Sequence, residues 1–155
     1  MLTITRRIPF CAGHRLPLHK GGCRNLHGHN YVLRVTIVAP ETKEGMVLDF
    51  ADVKRAVKGW IDENWDHAFI ADRTDRDVLN LIDSMDMRRY IMPEGPPTAE
   101  GMAEHLLCDV LPDLLGPLGC VCIRVEIEET ENCVASCSLD NAEEMMLPRH
   151  GGATA

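Results

Sequence analysis

Residues 121–128 alternate between apolar and charged side chains, and this alternation strongly restricts how the chain can fold. Val121, Ile123, Val125 and Ile127 occupy the odd positions, while positions 124, 126 and 128 are charged. A second segment, residues 29–39, repeats the pattern with apolar residues at 31, 33, 35 and 37. Because successive side chains of a strand point to opposite faces, each segment predicts a strand with one buried face. The chain therefore needs a second layer that covers a sheet.

Two amphipathic helices are the predicted second layer. Apolar residues recur at helical spacing across residues 50–61, with Asp49 as the candidate N-cap. Thr98 is the candidate N-cap of a second helix, whose apolar residues also recur at helical spacing. Further elements are predicted at residues 2–10 (strand), 45–50 (short strand), 71–97 (short helix, then loop) and 133–139 (strand). This order predicts an α+β fold with an antiparallel sheet and the two main helices on one face.

The composition excludes several classes of protein. Lys and Arg number 16 against 24 Asp and Glu, a net charge of −8, so the chain is a poor general nucleic-acid binder. No apolar run reaches the ~20 residues that span a bilayer, and the first residues lack the apolar segment of a signal peptide. We expect one cytoplasmic domain over residues 1–155, with a frayed tail at 148–155 and no nucleic-acid or membrane partner. The seven cysteines are expected to be reduced thiols.

Three histidines are candidates for a metal site. His27 and His29 stand two residues apart before the strand around Tyr31, so both imidazoles point to one face. His14 has the parity of the apolar residues in the first strand, and pairing of the two strands would bring it to the same place. Three imidazoles suit zinc and leave its fourth position open, as in catalytic sites. The alternative is an incidental pair of histidines.

Two nearby groups offer acid–base chemistry. Cys23 lies in a loop with Lys20 and Arg24, whose charges favour the thiolate. It could serve as a fourth metal ligand, a nucleophile, a base or an inert small residue. Asp66 and His67 are adjacent, and an aspartate beside a histidine can polarise the imidazole for proton transfer.

Glu129 continues the odd parity of the apolar residues that end at Ile127. A carboxylate on the apolar side of a strand costs free energy unless it is paired. One hypothesis is that Glu129 accepts two N–H donors from a ligand with a guanidine-like edge. The other is that the strand has already ended and the carboxylate lies in solvent.

Six motifs occur in the order in which a known family carries them. They are Phe10-Cys11-Ala12-Gly13-His14-Arg15-Leu16, Cys23-x-x-x-His27-Gly28-His29-Asn30-Tyr31, Gly45-Met46-Val47-x-Asp49-Phe50, Asp66-His67, Pro97-Thr98-Ala99-Glu100 and Glu129-Thr130. Together they resemble the 6-pyruvoyltetrahydropterin synthase / 6-carboxytetrahydropterin synthase family. The resemblance implies the tunnelling fold, an antiparallel four-stranded sheet backed by two helices. It also implies homo-oligomers, either trimers or hexamers, with active sites at subunit interfaces.

The resemblance further implies a role for each candidate residue. The residues that match the family's zinc ligands are His14, His27 and His29. The residues that match its catalytic group are Cys23, Asp66 and His67. The family's substrate is 7,8-dihydroneopterin triphosphate. Glu129 matches the glutamate that anchors the pterin ring, and Thr98 lies in a motif that lines the same pocket.

Positive charge near the site is needed because the triphosphate is an anion and the chain carries a charge of −8. The candidates for contacting the triphosphate are Arg15, Lys20 and Arg24.

The spacing of the motifs favours one branch of the family. The compact segment from Cys23 to His29 is more similar to the bacterial 6-carboxytetrahydropterin synthases of queuosine biosynthesis, which form 6-carboxytetrahydropterin, acetaldehyde and triphosphate. The alternative is a 6-pyruvoyl enzyme of the biopterin pathway, which eliminates triphosphate with the same Cys, Asp and His. A third branch, of aldolase type, has Glu where Cys23 stands. A non-catalytic domain that binds zinc or a pterin is the rival from another class.

Overall fold

A curled six-stranded sheet is the centre of the described structure. The computed structural model describes residues 1–139, so the predicted frayed tail at 148–155 lies outside the described residues. The strands are β1 (Ile4–His14), β2 (His27–Val38), β3 (Ala68–Asp72), β4 (Arg89–Met92), β5 (Val121–Thr130) and β6 (Cys133–Ser138). Within this range their order in the sheet is β4-β3-β1-β2-β5-β6. The pairs β1–β2, β2–β5 and β5–β6 are antiparallel, whereas β3 lies parallel to both β1 and β4.

Three helices accompany the sheet in residues 1–139. Helix α1 covers residues 50–64 and includes a π-helical turn at Lys54–Lys58. Helix α2 is Arg76–Ser84, and helix α3 covers residues 99–115 with a π-helical turn at Leu106–Val110. The predicted caps are present: the Asp49 carboxylate accepts from the N–H of Ala51, and the Thr98 hydroxyl accepts from the N–H of Gly101. Short 3-10 turns occupy Gly22–Arg24 and Gly116–Leu118.

The main core lies between one face of the sheet and helices α1 and α3. The alternating residues of β1, β2 and β5 are buried there, as the sequence pattern predicts. Trp65, at the end of α1, is fully buried and packs its ring 5.8 Å from that of Phe10. Helix α2 lies on the opposite face, where Val78 and Ile82 pack with Ala71 of β3. Residues 1–139 contain no helix long and apolar enough to cross a membrane.

The prediction of a four-stranded sheet is wrong in its strand count, although the α+β class is confirmed. The four antiparallel strands exist, but β3 and β4 extend the sheet beyond β1. Residues 71–97 contain the predicted short helix, and β4 occupies part of the predicted loop. Both added strands are too short to show a clear alternation of buried and exposed residues, since β3 has five residues and β4 has four. They form a parallel pair joined through α2, and a parallel pair depends on contacts distant in sequence.

The predicted short strand at residues 45–50 is also wrong. Lys43 and Met46 exchange two backbone hydrogen bonds of 2.9 Å and close a two-residue turn over Glu44 and Gly45. Both turn residues have positive φ, 52° and 79°, a conformation in which glycine is favoured. The apolar residues after the turn lead into α1 at Phe50 rather than forming a strand.

Strands β1 and β2 approach closely where two glycines face each other. Gly13 pairs with Gly28, and a Cβ added at Gly28 would lie 2.8 Å from the carbonyl oxygen of Ala12. Backbone atoms cannot move away without separating the two strands. Glycine at position 28, between His27 and His29, therefore permits β2 to pair with β1 at this point.

We predict that Gly28→Ala lowers the free energy of unfolding by about 2 kcal/mol, because the new methyl group forces β1 away from β2. Chemical denaturation followed by circular dichroism measures the change. Gly59→Ala is the matched control, since a Cβ there meets nothing within 4 Å and Gly59 lies within α1. That control is expected to stay neutral or gain up to about 1 kcal/mol. Equal stability of Gly28→Ala and wild type would contradict the close approach.

Candidate metal centre and active site

Three imidazoles meet at the end of the β1–β2 pair. His14 is the last residue of β1 and pairs with His27, the first residue of β2, while His29 pairs with Ala12. The three side chains share the core face of the sheet. One ring nitrogen from each lies within 4.8 Å of the others. The structure thus brings the three predicted zinc ligands together.

Backbone carbonyls fix which nitrogen of two imidazoles is free. Nδ1 of His14 lies 2.7 Å from the carbonyl oxygen of Pro97, and Nδ1 of His27 lies 2.8 Å from that of Asn25. A carbonyl oxygen only accepts, so both Nδ1 atoms donate and both Nε2 atoms carry lone pairs. These two Nε2 atoms are 3.1 Å apart, and two lone pairs at that distance repel unless a cation or proton lies between them.

The donor set fits a zinc ion. Nε2 of His29 is buried and has no hydrogen-bond partner within residues 1–139, which is costly for a polar atom without a ligand. Outer hydrogen bonds from Nδ1 to carbonyl groups are the usual support of zinc-bound histidines. Burial, followed by the charge of His27, lowers the pKa of His14, although the Pro97 carbonyl and Glu129 act in the opposite direction. The His14 imidazole therefore stays neutral at pH 7 and can bind a metal.

The Glu129 side chain points toward the same three imidazoles. Glu129 lies in β5 at a register irregularity against β6, and such bulges re-aim side chains. Its Oε1 atom is 3.5 Å from Nε2 of His14 and 3.7 Å from Nε2 of His29. Its side chain is about a quarter exposed, at 26%. The strand therefore continues through Glu129, and its carboxylate faces the imidazoles rather than open solvent.

The Tyr31 hydroxyl lies between His14, one of the candidate metal ligands, and Glu129. It lies 3.2 Å from Nε2 of His14 and donates to Oε1 of Glu129 at 3.4 Å. Burial, followed by the charge of Glu129, raises the pKa of Tyr31 far above its ordinary value, so the phenol keeps its proton. The charge of Cys23 makes the smallest contribution to this rise in the Tyr31 pKa.

Asp66 and His67 form a hydrogen-bonded pair at the start of β3. Nδ1 of His67 lies 3.0 Å from Oδ2 of Asp66, and the N–H of Cys11 donates to Oδ1 of Asp66 at 2.8 Å. Burial alone would raise the pKa of Asp66, but the hydrogen bonds from Cys11 and His67 lower it below its ordinary value. The His67 side chain is 77% exposed, and its φ of 56° is unusual for a residue other than glycine.

The Asp66–His67 pair borders a cavity beside the candidate metal site. His67 lines a cavity of about 800 Å³ together with Tyr31 and Glu129. Within residues 1–139, Cys23 makes no hydrogen bond to Asp66 or His67. The Asp66–His67 pair therefore faces a cavity that reaches Glu129, without a hydrogen bond to Cys23 in the described part of the chain.

The predicted triphosphate contacts differ in their surroundings. Arg15 binds Asp75 through two hydrogen bonds of 2.5 Å, and the Asp75 side chain is buried. This pairing lowers the pKa of Asp75 and raises that of Arg15. Lys20 and Arg24 are exposed in the loop before His27.

Thr98 caps α3, and the residue before it, Pro97, supplies the carbonyl that holds His14. Thr98 also borders a cavity of about 570 Å³ together with Arg15 and Asp75.

Sequence reasoning missed Tyr31 and Asp75 as parts of these sites. Tyr31 shares its parity with His27 and His29, so the alternation of β2 already contained a signal for its position. Asp75 gave no such signal, because its contact with Arg15 spans 60 residues. The carbonyl groups that orient His14 and His27 could not be read from side-chain identity.

The chain is similar to several known proteins in sequence and in fold. The family model described as 6-pyruvoyl tetrahydropterin synthase matches residues 3–140. A Rickettsia bellii protein named 6-carboxy-5,6,7,8-tetrahydropterin synthase is 41% identical over 134 residues, which cover 86% of this chain and 97% of the relative. The structure of the Caenorhabditis elegans 6-pyruvoyl tetrahydropterin synthase is similar, with a TM-score of 0.63, 26% identity and 90% and 96% of the two chains covered. An uncharacterized Wolinella succinogenes protein has a TM-score of 0.74, 26% identity and coverage of 90% and 98%.

We predict that Asp75→Asn removes a pH-dependent part of the stability. The folded-state pKa of Asp75 lies below its unfolded value of about 3.9, so the Arg15 pair contributes fully above about pH 5 and is lost as the pH falls through the folded pKa. The variant should lose about 2 kcal/mol of unfolding free energy at pH 7, and this difference should shrink steadily as the pH falls below about 4. Urea denaturation across this range measures the difference.

Asn at position 75 can still accept from the N–H of Val78 at the start of α2, so the substitution isolates the ion pair. Asp86→Asn, an equivalent change at an exposed carboxylate after α2, is the control and should stay within about 0.5 kcal/mol of wild type. A difference between Asp75→Asn and wild type that persists unchanged at low pH would contradict the assignment.

Proposed function

Because this chain belongs to the 6-pyruvoyl tetrahydropterin synthase family, we propose that it is a zinc-dependent 6-carboxy-5,6,7,8-tetrahydropterin synthase. The reaction converts 7,8-dihydroneopterin triphosphate and water to 6-carboxytetrahydropterin, acetaldehyde and triphosphate in queuosine biosynthesis. The observation that carries the proposal is the cluster of His14, His27 and His29, which faces the Glu129 carboxylate. This combination supplies both a site for a Lewis acid and an acceptor for a heterocycle within one pocket.

The histidine cluster leaves a metal position open for substrate. His14, His27 and His29 would hold the zinc ion through the nitrogens that the carbonyl contacts leave free. When bound, zinc acts as a Lewis acid that makes protons of the substrate's side-chain hydroxyls and adjacent carbons easier to remove. Three protein ligands, rather than four, are typical of a catalytic zinc.

Two protein groups would carry the protons. Cys23 would take a proton on the side of the substrate that faces the imidazoles. His67 would exchange a proton from the other side, with Asp66 fixing the imidazole and stabilising its charged form. The hydrogen bond at Nδ1 of His67 leaves Nε2 directed away from Asp66 for this transfer.

Glu129 would anchor the pterin ring. The pterin presents a ring N–H and an amino group side by side, and a carboxylate accepts both in parallel. Triphosphate binding is assigned to exposed cations, for which Lys20 and Arg24 are better candidates than Arg15. The Arg15 guanidinium is already neutralised by the Asp75 carboxylate.

Assembly of two protomers would complete the site. Cys23 makes no hydrogen bond to the Asp66–His67 pair within residues 1–139, and His67 is largely exposed. A homotrimer or homohexamer that joins these groups across a subunit interface supports the proposed chemistry. We assign the protein to the cytoplasm, with the pterin triphosphate as its small-molecule substrate.

The second candidate is a 6-pyruvoyl synthase, which would use the same Cys, Asp and His. It is less favoured because the Rickettsia bellii relative at 41% identity carries the 6-carboxy name. A non-catalytic zinc- or pterin-binding domain needs no aspartate–histidine pair, whereas this chain holds Asp66 and His67 in contact.

We predict that zinc-loaded protein converts 7,8-dihydroneopterin triphosphate to 6-carboxytetrahydropterin with release of acetaldehyde, identified by mass spectrometry. A product that retains its carbons as a 6-pyruvoyl group would assign the protein to the biopterin branch instead. Absence of turnover in protein that holds zinc would favour the non-catalytic domain.

Cys23→Ala and Cys133→Ala, measured in the same assay, test the role of the thiol. The Cys23 variant should keep its zinc and lose at least about 100-fold in kcat, the range expected for a proton-transfer group. Cys133 is exposed in β6, and its variant should match wild type. Loss of zinc from Cys23→Ala would show instead that Cys23 is a metal ligand.

A further inference from the structure

The hydroxyl of Tyr31 is the one hydrogen-bond donor to the Glu129 carboxylate within residues 1–139. Its distance to Oε1 of Glu129 is 3.4 Å, and the same hydroxyl lies 3.2 Å from Nε2 of His14. The Tyr31 hydroxyl is thus placed between the histidine cluster and the carboxylate that faces it.

The aromatic ring of Tyr31 cannot easily change its position. Tyr31 is 1% exposed, and its ring stacks on that of Phe10 with 5.1 Å between centroids and 15° between planes. A packed ring leaves its hydroxyl at a fixed point. Glu129 has no such packing, since its side chain is 26% exposed and lies at an irregular pairing of β5 with β6.

Glu129 has two possible uses in this position. Its Oε1 atom is 3.5 Å from Nε2 of His14 and 3.7 Å from Nε2 of His29, so a short movement would make it a fourth protein ligand to a metal held there. A closed set of four protein ligands is typical of structural zinc and blocks the position that substrate needs. A hydrogen bond that restrains Oε1 keeps the carboxylate available for a heterocycle.

We propose that Tyr31 is a positioning residue that holds Glu129 for the pterin and keeps it from closing the metal site. This inference rests on the proposed function and deepens it. Tyr31 acts through Glu129 and contacts no reacting atom. Removal of its hydroxyl therefore weakens pterin binding without removing a group needed for proton transfer.

The test is Tyr31→Phe, which deletes the hydroxyl and keeps the packed ring. Two readouts are used on zinc-loaded protein: the Kd of unsubstituted pterin by fluorescence titration, and kcat and KM with 7,8-dihydroneopterin triphosphate. We expect about a tenfold rise in both Kd and KM, because one hydrogen bond to a charged group is lost, with kcat within twofold of wild type. Zinc content should equal that of wild type.

The matched control is Tyr90→Phe, the same change at the second tyrosine of the chain. The Tyr90 hydroxyl bonds Nε2 of His105 at 2.6 Å, outside the candidate site. Its Kd and KM should match those of wild type.

A double-mutant cycle separates positioning from a general structural effect. In a Glu129→Gln background, Tyr31→Phe should change the Kd by less than twofold, since the group it positions has been altered. An equal loss in both backgrounds, no loss in the wild-type background, or loss of zinc from Tyr31→Phe would overturn the inference. Failure of wild-type protein to bind pterin at all would instead refute the proposed function, and the role of Tyr31 with it.

Discussion

The antiparallel register of β1 against β2 decides where the ligands of the proposed metal centre lie. It sets His14 directly opposite His27 and places His29 opposite Ala12, all on the core face of the sheet. A slip of one residue in one strand would turn its side chains to the other face and separate the imidazoles. The close backbone approach at Gly28, where a Cβ would meet the Ala12 carbonyl, fits this one register.

Contacts from outside the β1–β2 pair orient the imidazoles that this register brings together. Helix α3 begins after Pro97, and the Pro97 carbonyl accepts from Nδ1 of His14. The position of α3 against the sheet thereby fixes which His14 nitrogen faces the cluster. Tyr31 and Glu129 come from the same face of β2 and β5, so the pocket is made from the ends of strands whose middles form the core. The same strands therefore contribute residues both to the core and to the candidate site.

The elements that could be predicted from the sequence are those whose apolar residues recur at a regular spacing along the chain. The alternation of β2 and β5 predicts their buried faces and the common side of His27, His29 and Tyr31, because period-two side-chain placement is a property of any strand. The helix caps at Asp49 and Thr98 follow from side-chain chemistry in the same way. Strands β3 and β4 could not be predicted, since they are short and depend on parallel pairing across α2. The contact between His14 and Pro97 spans 83 residues, and no local pattern encodes it.

In the proposed site, three imidazoles alone hold the metal, and Cys23 and Glu129 remain free for substrate. X-ray absorption at the zinc K edge of the zinc-loaded protein tests it most directly, with Cys23→Ala measured in parallel. We expect scattering from three histidine ligands at about 2.0–2.1 Å, no sulfur at about 2.3 Å, and the same spectrum for the variant. A sulfur shell that disappears in Cys23→Ala, or fewer than three imidazoles, would contradict it.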